Sequence, residues 1–253
     1  MQPIIAFNTA NLVAWFSGFR FKLSEWGVQE KLSVEGTTSD VFDEMCRAIR
    51  QAGYRHVEIW KAHLERCADD PARVDRFARI LADHQLTPVA LGGTLNATNA
   101  RLCKAFNISA CCGGYWGTTH EEVAQRARDT GIRFNFENHP EKSADEIRRQ
   151  INYGADGLAV CVDTGWLATQ GLEVPPVIRA LGRLVRHVHF KDIASAGGHD
   201  CVPLGTGIVD FPEVVRELRT IGYEGVISWE DEPENRNPLD IAARSREFIE
   251  RLF

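Results

Sequence analysis

Long apolar runs are missing from this 253-residue chain, and so is any excess of basic residues. Its apolar runs are strand-length, well short of the roughly 20 residues of a membrane-spanning helix, and the N-terminal MQPIIAFNTA lacks a basic region followed by an apolar core. These absences predict a cytoplasmic protein without a membrane partner. The net charge of −6 argues against a nucleic-acid partner, because the phosphate backbone is bound by basic surfaces.

Several sequence signals of other protein classes are also absent. The seven cysteines are scattered without a CxxC motif, so reduced thiols in a core are expected. No Pro/Gly/Ser-rich linker divides the chain, which predicts a single domain over residues 1–253. No GxGxxG follows the first predicted strand and no GxxxxGK[ST] occurs anywhere, which counts against a doubly wound open sheet.

Short apolar runs alternate with amphipathic segments along the chain, which is the pattern of βα units and a parallel sheet. Eight strands alternating with helices in about 250 residues predict a (β/α)₈ TIM barrel. The predicted strands cover residues 4–8, 56–60, 87–91, 108–113, 132–137, 158–163, 184–190 and 225–230. The long connection 12–38 is rich in Trp and Phe, and we expect it to form an ordered flap over the barrel mouth or a contact with a partner.

Four successive predicted strands end in side chains that can bind a metal, namely Glu137, Asp163, His189 and Glu230. In a TIM barrel the functional side chains project from the C-terminal ends of the strands, so these four are expected to converge. Three carboxylates and one imidazole suit Mn²⁺, Mg²⁺ or a similar cation. Mn²⁺ is the favoured ion, with Mg²⁺, Co²⁺ and Zn²⁺ as alternatives.

Alternation along the strands places further polar side chains inside the barrel. His187 and Lys191 share a face with His189, and Glu58 shares the inner face of the second strand with Trp60. Each could contact a substrate, but each also has a structural explanation. His187 could hydrogen-bond within the barrel, and Lys191 could pair with an inward acid such as Glu58. The remaining candidates for substrate contact are His63, His139, Trp166 and Glu232.

The motifs of these strands, in their order and spacing, resemble the sugar phosphate isomerase/epimerase family with its xylose-isomerase-like TIM barrel. They are VEIW, FENHP, VDTGW, HVHFKD, PLGTGIVDF and GYEGVISWEDE. The resemblance covers nearly the whole chain and is strongest over residues 133–233. It implies a divalent metal held by Glu137, Asp163, His189 and Glu230, and a keto sugar or related polyol ketone as substrate.

The family chemistry implied by this resemblance is proton removal next to a carbonyl, which leaves an enediolate that the metal stabilises. Glu137 and Glu230 are the candidates for the acid/base pair, of which an epimerase would use both and an isomerase one. The same enediolate can expel a β-hydroxyl group. A metal-dependent dehydratase of an inosose or keto sugar is therefore the alternative to an isomerase or epimerase.

Two positions depart from the family pattern. Trp166 stands where many members carry a histidine, and Ser195 stands where epimerases of free ketoses carry an arginine. The substrate pocket is therefore expected to differ, with Trp166 as a flat apolar wall. His199 is expected in a solvated loop.

Two rival functions need other features. An endonuclease IV-like phosphodiesterase would need a histidine at position 166 and an Asp-x-His motif, which HDCVPLG lacks. A non-catalytic barrel could bind a partner through residues 12–26. The same segment and the outer helices would also suit a homodimer or homotetramer.

Overall fold

The computed structural model describes residues 3–253. Within this range, eight parallel strands pair in sequence order and close into a barrel. The strands are β1 (Ile4–Asn8), β2 (His56–Trp60), β3 (Thr87–Gly92), β4 (Ala110–Gly113), β5 (Arg133–Glu137), β6 (Ala159–Asp163), β7 (Val185–Phe190) and β8 (Val226–Trp229). The predicted TIM barrel is confirmed, with strand ends that differ by no more than two residues.

Helices cover the outside of the barrel and connect its strands. They are α1 (Trp26–Gly36), α2 (Ser39–Gln51), α3 (Lys61–Leu64), α4 (Pro71–Asp83), α5 (Ala97–Ala105), α6 (His120–Thr130), α7 (Ala144–Gln150), α8 (Thr164–Thr169), α9 (Val174–Leu181), α10 (Phe211–Thr220) and α11 (Ala242–Leu252). Local sequence sets their ends. At the start of α6, for example, the Thr119 side chain accepts from the Glu122 amide and the Glu122 carboxylate accepts from the Thr119 amide.

The apolar core lies between the barrel wall and the helices, and the inside of the barrel is polar. Phe134 and Phe136 of β5 point outward into this core, whereas Asn135 and Glu137 alternate with them and point inward. All seven cysteines are free and buried, as expected from their spacing. Among the helices of residues 3–253, none combines the length and apolar character needed to cross a membrane.

The segment 12–38 is mostly helical. After a short 3₁₀ turn, Trp15–Ser17, it forms a second, Leu23–Glu25, and then α1. Trp26 packs against Trp60 at the end of β2, with ring centroids 5.4 Å apart, and the Phe21 amide donates to the Glu234 carbonyl, 3.0 Å away. These contacts hold the segment beside the C-terminal ends of β1, β2 and β8.

The loop after β7 is organised around the carboxylate of Asp192. This buried group accepts hydrogen bonds from the amides of Gly205, Gly207 and Val209 at 2.9 to 3.1 Å. A Cβ on Gly207 would lie 2.2 Å from the Ile193 carbonyl oxygen, so only glycine fits there. The PLGTG sequence therefore forms a loop whose backbone amides surround the Asp192 carboxylate. This loop forms part of the rim beside β7.

We predict that Asp192→Ala lowers the free energy of unfolding by about 2 kcal/mol or more, because several buried amides lose a charged acceptor. Urea denaturation followed by circular dichroism measures the change. Asp200→Ala is the control, since Asp200 is exposed on the same loop, and we expect a change within about 0.5 kcal/mol. Equal stability of the two variants would contradict the role given to Asp192.

Candidate active site and metal centre

The four side chains singled out at the strand ends meet at the C-terminal mouth of the barrel. Glu137, Asp163, His189 and Glu230 each offer one ligand atom, and these atoms all lie within 4.8 Å of one another. His189 Nδ1 is 2.6 Å from Glu230 Oε2 and 3.0 Å from Glu137 Oε1. All four side chains are buried. Their role as metal ligands stays a prediction, but the convergence that such a role requires is present.

The two oxygens of Asp163 have different environments. Oδ1 accepts from the Trp166 amide at 2.8 Å and caps the first turn of α8. Oδ2 is buried without a hydrogen-bond partner; Lys191 Nζ lies 3.3 Å away but makes no hydrogen bond with it. Because Oδ2 makes no hydrogen bond, it remains available to a further cation beside the Lys191 ammonium, and the donor set fits a divalent metal.

Lys191 is the positive charge among these acids. Its Nζ lies 2.6 Å from Glu230 Oε1 and 2.9 Å from Glu232 Oε2, and its side chain is 0% exposed. Burial by itself would lower the pKa of Lys191, but Asp163, Glu230 and Glu232 together raise it well above its usual value. Lys191 thus pairs with acids, which was one of the alternatives left open by the sequence, but its partners lie at the rim and do not include Glu58.

The pKa values of Glu232 and Glu230 are shifted in opposite directions. Burial raises the pKa of Glu232 to about 7, against the attraction of Lys191. Burial also acts to raise the pKa of Glu230, but Lys191 and His189 hold it well below its usual value. Glu230 therefore stays ionised at neutral pH, and the site carries negative charge toward the cavity.

Beneath this cluster lies a second polar network inside the barrel. Glu58 is completely buried, and one of its oxygens, Oε2, lies 2.8 Å from His187 Nε2 and accepts from Ser228 Oγ at 2.6 Å. Both carboxylate oxygens are 3.1 Å from His189 Nε2. Burial would raise the pKa of Glu58, but the charges and hydrogen bonds of His189 and His187 lower it below its usual range. The structure does not bring Glu58 or His187 to the cavity wall.

A cavity of about 540 Å³ opens above the cluster. Four tryptophans form its walls, namely Trp26, Trp60, Trp116 and Trp166. Its lining includes a single lysine and no arginine; the lysine, Lys61, already pairs with Glu30 at 2.6 Å. Four carboxylates also face the cavity, those of Glu30, Glu137, Glu230 and Glu232. The cavity is therefore aromatic and acidic.

The histidines expected near the site have different positions. His139 lines the cavity, with its Nε2 4.0 Å from Glu137 Oε1. His63 does not, because it is buried against β1, where its Nδ1 lies 2.9 Å from Thr9 Oγ1. The expectation of a solvated His199 is wrong. Its side chain is 8% exposed and stacks on Trp166, with ring centroids 4.1 Å apart.

Residues 115–252, more than half of the chain, match the family model described as "Xylose isomerase-like TIM barrel". The chain belongs to this family. Among curated relatives, an inosose dehydratase of Lacticaseibacillus casei is 24% identical over 153 residues, which is 51% of this chain and 51% of that one. The chain therefore matches about half the length of this relative.

Solved structures of the xylose isomerase-like TIM barrel family share the fold. D-allulose 3-epimerase from Methylomonas sp., in complex with D-allulose, superposes with a TM-score of 0.69 at 16% identity, covering 100% of this chain and 98% of that one. A xylose isomerase-like TIM barrel protein from Mycobacterium smegmatis, in complex with magnesium, has a TM-score of 0.69 at 17% identity, covering 87% of this chain and 90% of that one. At these identities the likeness shows the fold alone.

Sequence reasoning missed several residues of the site in this family member. Asn8 ends β1, and its Nδ2 donates to Glu230 Oε2 at 2.8 Å. Its place at a strand end was the signal that could have found it, as for the three acids and the histidine. Asn138 was also missed, although its side chain bonds both the backbone amide and the carbonyl of Asp163. Trp26 and Trp116 lie in connecting segments, where the alternation of inward and outward side chains along a strand cannot predict which residues face the site.

We predict that Lys191→Met lowers the free energy of unfolding of the metal-free protein by about 3–5 kcal/mol, because buried carboxylates lose their compensating charge. Chemical denaturation in EDTA measures the loss. Lys61→Met is the matched control, since Lys61 is partly exposed and its pairs are worth about 1 kcal/mol or less. An equal, small loss in both variants would contradict the charge balance described above.

Proposed function

We propose that the protein is a divalent-metal-dependent isomerase or epimerase that moves a proton next to the carbonyl of a polyhydroxy ketone. The observation that carries this proposal is the convergence of Glu137, Asp163, His189 and Glu230 below an open cavity, with Asp163 Oδ2 left without a hydrogen bond. The reaction requires a localised positive charge beside an acid/base group. These residues could hold a cation that supplies this charge, and two of them could act as the acid/base groups.

The four converging residues would hold the ion. When bound, a divalent cation supplies Lewis-acid stabilisation of the negative charge that proton removal leaves on the substrate oxygens. Mn²⁺ is the favoured ion because three carboxylates and one imidazole suit a borderline cation. The magnesium complex of the Mycobacterium smegmatis relative supports a hard divalent ion in this fold.

Glu137 and Glu230 are the proposed acid/base pair, and their surroundings differ. Glu230 is held by Asn8, Lys191 and His189, with contacts of 2.6 to 2.8 Å. Among residues 3–253, the ion pairs of the Glu137 carboxylate are limited to the rings of His189, at 3.0 Å, and His139, at 4.0 Å. Glu137 is therefore the freer of the two groups to accept the substrate proton, while Glu230 is fixed in place.

The lining of the cavity supports a neutral sugar-like substrate. A phosphate group would call for arginine or free lysine, whereas Lys61 is paired and four carboxylates face the same space. Aromatic walls suit the apolar faces of a ring, and Thr94, Asn96 and Asn99 provide hydrogen-bonding groups for hydroxyls. The same acidic lining disfavours a phosphodiester of nucleic acid. We therefore propose an unphosphorylated cyclic polyol ketone or keto sugar.

Dehydration is the second candidate, and two observations favour it. Curated relatives from several bacteria are inosose dehydratases. In addition, Glu232 lines the cavity beside Lys191 and offers a third carboxyl group that could protonate a departing hydroxyl. Elimination would begin with the same proton removal as epimerisation, so both outcomes share the first step.

We predict that the protein incorporates deuterium from D₂O at a carbon next to the carbonyl of one member of a panel of inososes, free keto sugars and hydroxypyruvate, in the presence of Mn²⁺. Proton NMR identifies the substrate and the carbon that exchanges. Recovery of a stereoisomer or positional isomer supports the isomerase, whereas a dehydrated product supports the second candidate. No exchange and no product across the panel would contradict both.

Glu230→Gln should reduce this exchange by at least about 100-fold, because a positioned acid/base group contributes about 10²–10⁴-fold and the near-isosteric amide cannot take the proton. Initial rates at saturating Mn²⁺ measure the loss, and circular dichroism checks the fold. Glu224→Gln is the control, since Glu224 is exposed just before β8, at the opposite end of the barrel. Near-normal exchange in Glu230→Gln would remove this residue from the reaction.

A further inference from the structure

Glu58 is a charged group that the reaction outlined above does not use. It lies on the inner face of β2, where it is paired in register with Asn8 of β1 and Ala90 of β3, and it is 0% exposed. It does not line the cavity. A buried carboxylate is stable only if hydrogen bonds or ion pairs compensate its charge. The contacts of Glu58 therefore indicate its role.

Both carboxylate oxygens of Glu58 contact the ring of His189. Each of its carboxylate oxygens lies 3.1 Å from His189 Nε2. The opposite nitrogen of that ring, Nδ1, faces Glu137 Oε1 at 3.0 Å and Glu230 Oε2 at 2.6 Å. His189 therefore stands between the rim carboxylates on one side and Glu58 on the other.

This orientation decides which nitrogen can bind a cation. Nδ1 points toward the cluster of ligand atoms, and a ring nitrogen must be unprotonated to bind a metal. The proton of the neutral ring must then sit on Nε2, where it needs an acceptor. The Glu58 carboxylate is the acceptor within reach of Nε2, and it is centred on that nitrogen by two equal distances.

We propose that Glu58 is a positioning residue for the metal centre: it accepts the Nε2 proton of His189, and thereby fixes the ring and presents unprotonated Nδ1 to the ion. The inference rests on the proposed function, since it assigns to Glu58 the task of preparing one of the four metal ligands. Acceptors of this kind behind a ligating histidine typically change metal affinity by about 10–100-fold.

Two further residues keep the carboxylate in this position. Ser228 Oγ donates to Glu58 Oε2 at 2.6 Å, and His187 Nε2 lies 2.8 Å from the same oxygen. His187 lies on β7, and Ser228 lies on the neighbouring strand β8, where it pairs in register with His189. Because these groups approach Oε2 from β7 and β8, the carboxylate is fixed by several contacts. Among its hydrogen-bonding neighbours within residues 3–253, His189 is the one that lines the cavity.

The test is calorimetric titration of Mn²⁺ into metal-free wild type, Glu58→Gln and Ser228→Ala. We expect Glu58→Gln to raise the Kd about 10–100-fold, and Ser228→Ala to raise it by a smaller factor in the same direction. Exchange activity of Glu58→Gln should need more Mn²⁺ for half-saturation, but should approach the wild-type rate at saturating metal, since Glu58 does not touch the substrate cavity.

Glu217→Gln is the matched control for a change that only destabilises. Glu217 lies outside the barrel on α10, where its buried carboxylate binds Arg179, and its loss should lower the melting temperature without changing the Kd. Should Glu58→Gln fail to fold, Ser228→Ala decides the outcome alone. A wild-type Kd in the folded variants would overturn the inference and leave the proposed function standing. Wild-type protein that binds none of Mn²⁺, Mg²⁺, Co²⁺ and Zn²⁺ would overturn both.

Discussion

The buried ammonium group of Lys191 is the interaction on which the candidate site depends. Its Nζ lies within 3.3 Å of carboxylate oxygens from Asp163, Glu230 and Glu232, in a space closed to solvent. Acids packed so closely repel one another, and without a cation some of them would take up a proton. Lys191, together with the His189 ring, keeps Glu230 ionised, yet these groups do not balance every acid that faces the cavity. The remaining negative charge is what makes the site receptive to a divalent cation.

The barrel can hold these charges because its stability comes from elsewhere. Phe134 and Val188, on the outer faces of β5 and β7, are completely buried against the helices, while the residues that alternate with them point into the barrel. The apolar layer thus lies outside the strands, and the interior need not be apolar. A polar interior is stable only if its groups are paired, and the network of Glu58, His187 and Ser228 meets that condition below the rim.

Most of the fold and the central part of the site could be predicted from the sequence, because both depend on local patterns. Short apolar runs alternating with amphipathic segments predicted the strands. The TIM-barrel topology then predicted that Glu137, Asp163, His189 and Glu230 lie at the C-terminal end of the barrel. The pairings between side chains could not be predicted in this way. Lys191 and Glu58 both point inward, but Lys191 extends to the rim and Glu58 lies below His189, and depth along the barrel axis depends on how all eight strands are staggered. His199 was misplaced for a related reason, since its loop position gives no hint of the tryptophan on which it stacks.

Trp166 shows how a single position can change what the cavity selects. One face of its ring is stacked on His199, the His139 ring lies 5.1 Å away, and Lys191 Nζ is 5.7 Å from the ring centroid. A wall held by three neighbours cannot rotate away, so it limits the shape of a ligand more strictly than a mobile side chain would. The lysine in the cavity lining, Lys61, is already paired with Glu30, so the proposed ring substrate would be held by aromatic surfaces and hydroxyl contacts in addition to the proposed ion. If the proposed function holds, Trp166 and the other aromatic side chains would select a substrate by its shape, above the converging side chains of Glu137, Asp163, His189 and Glu230.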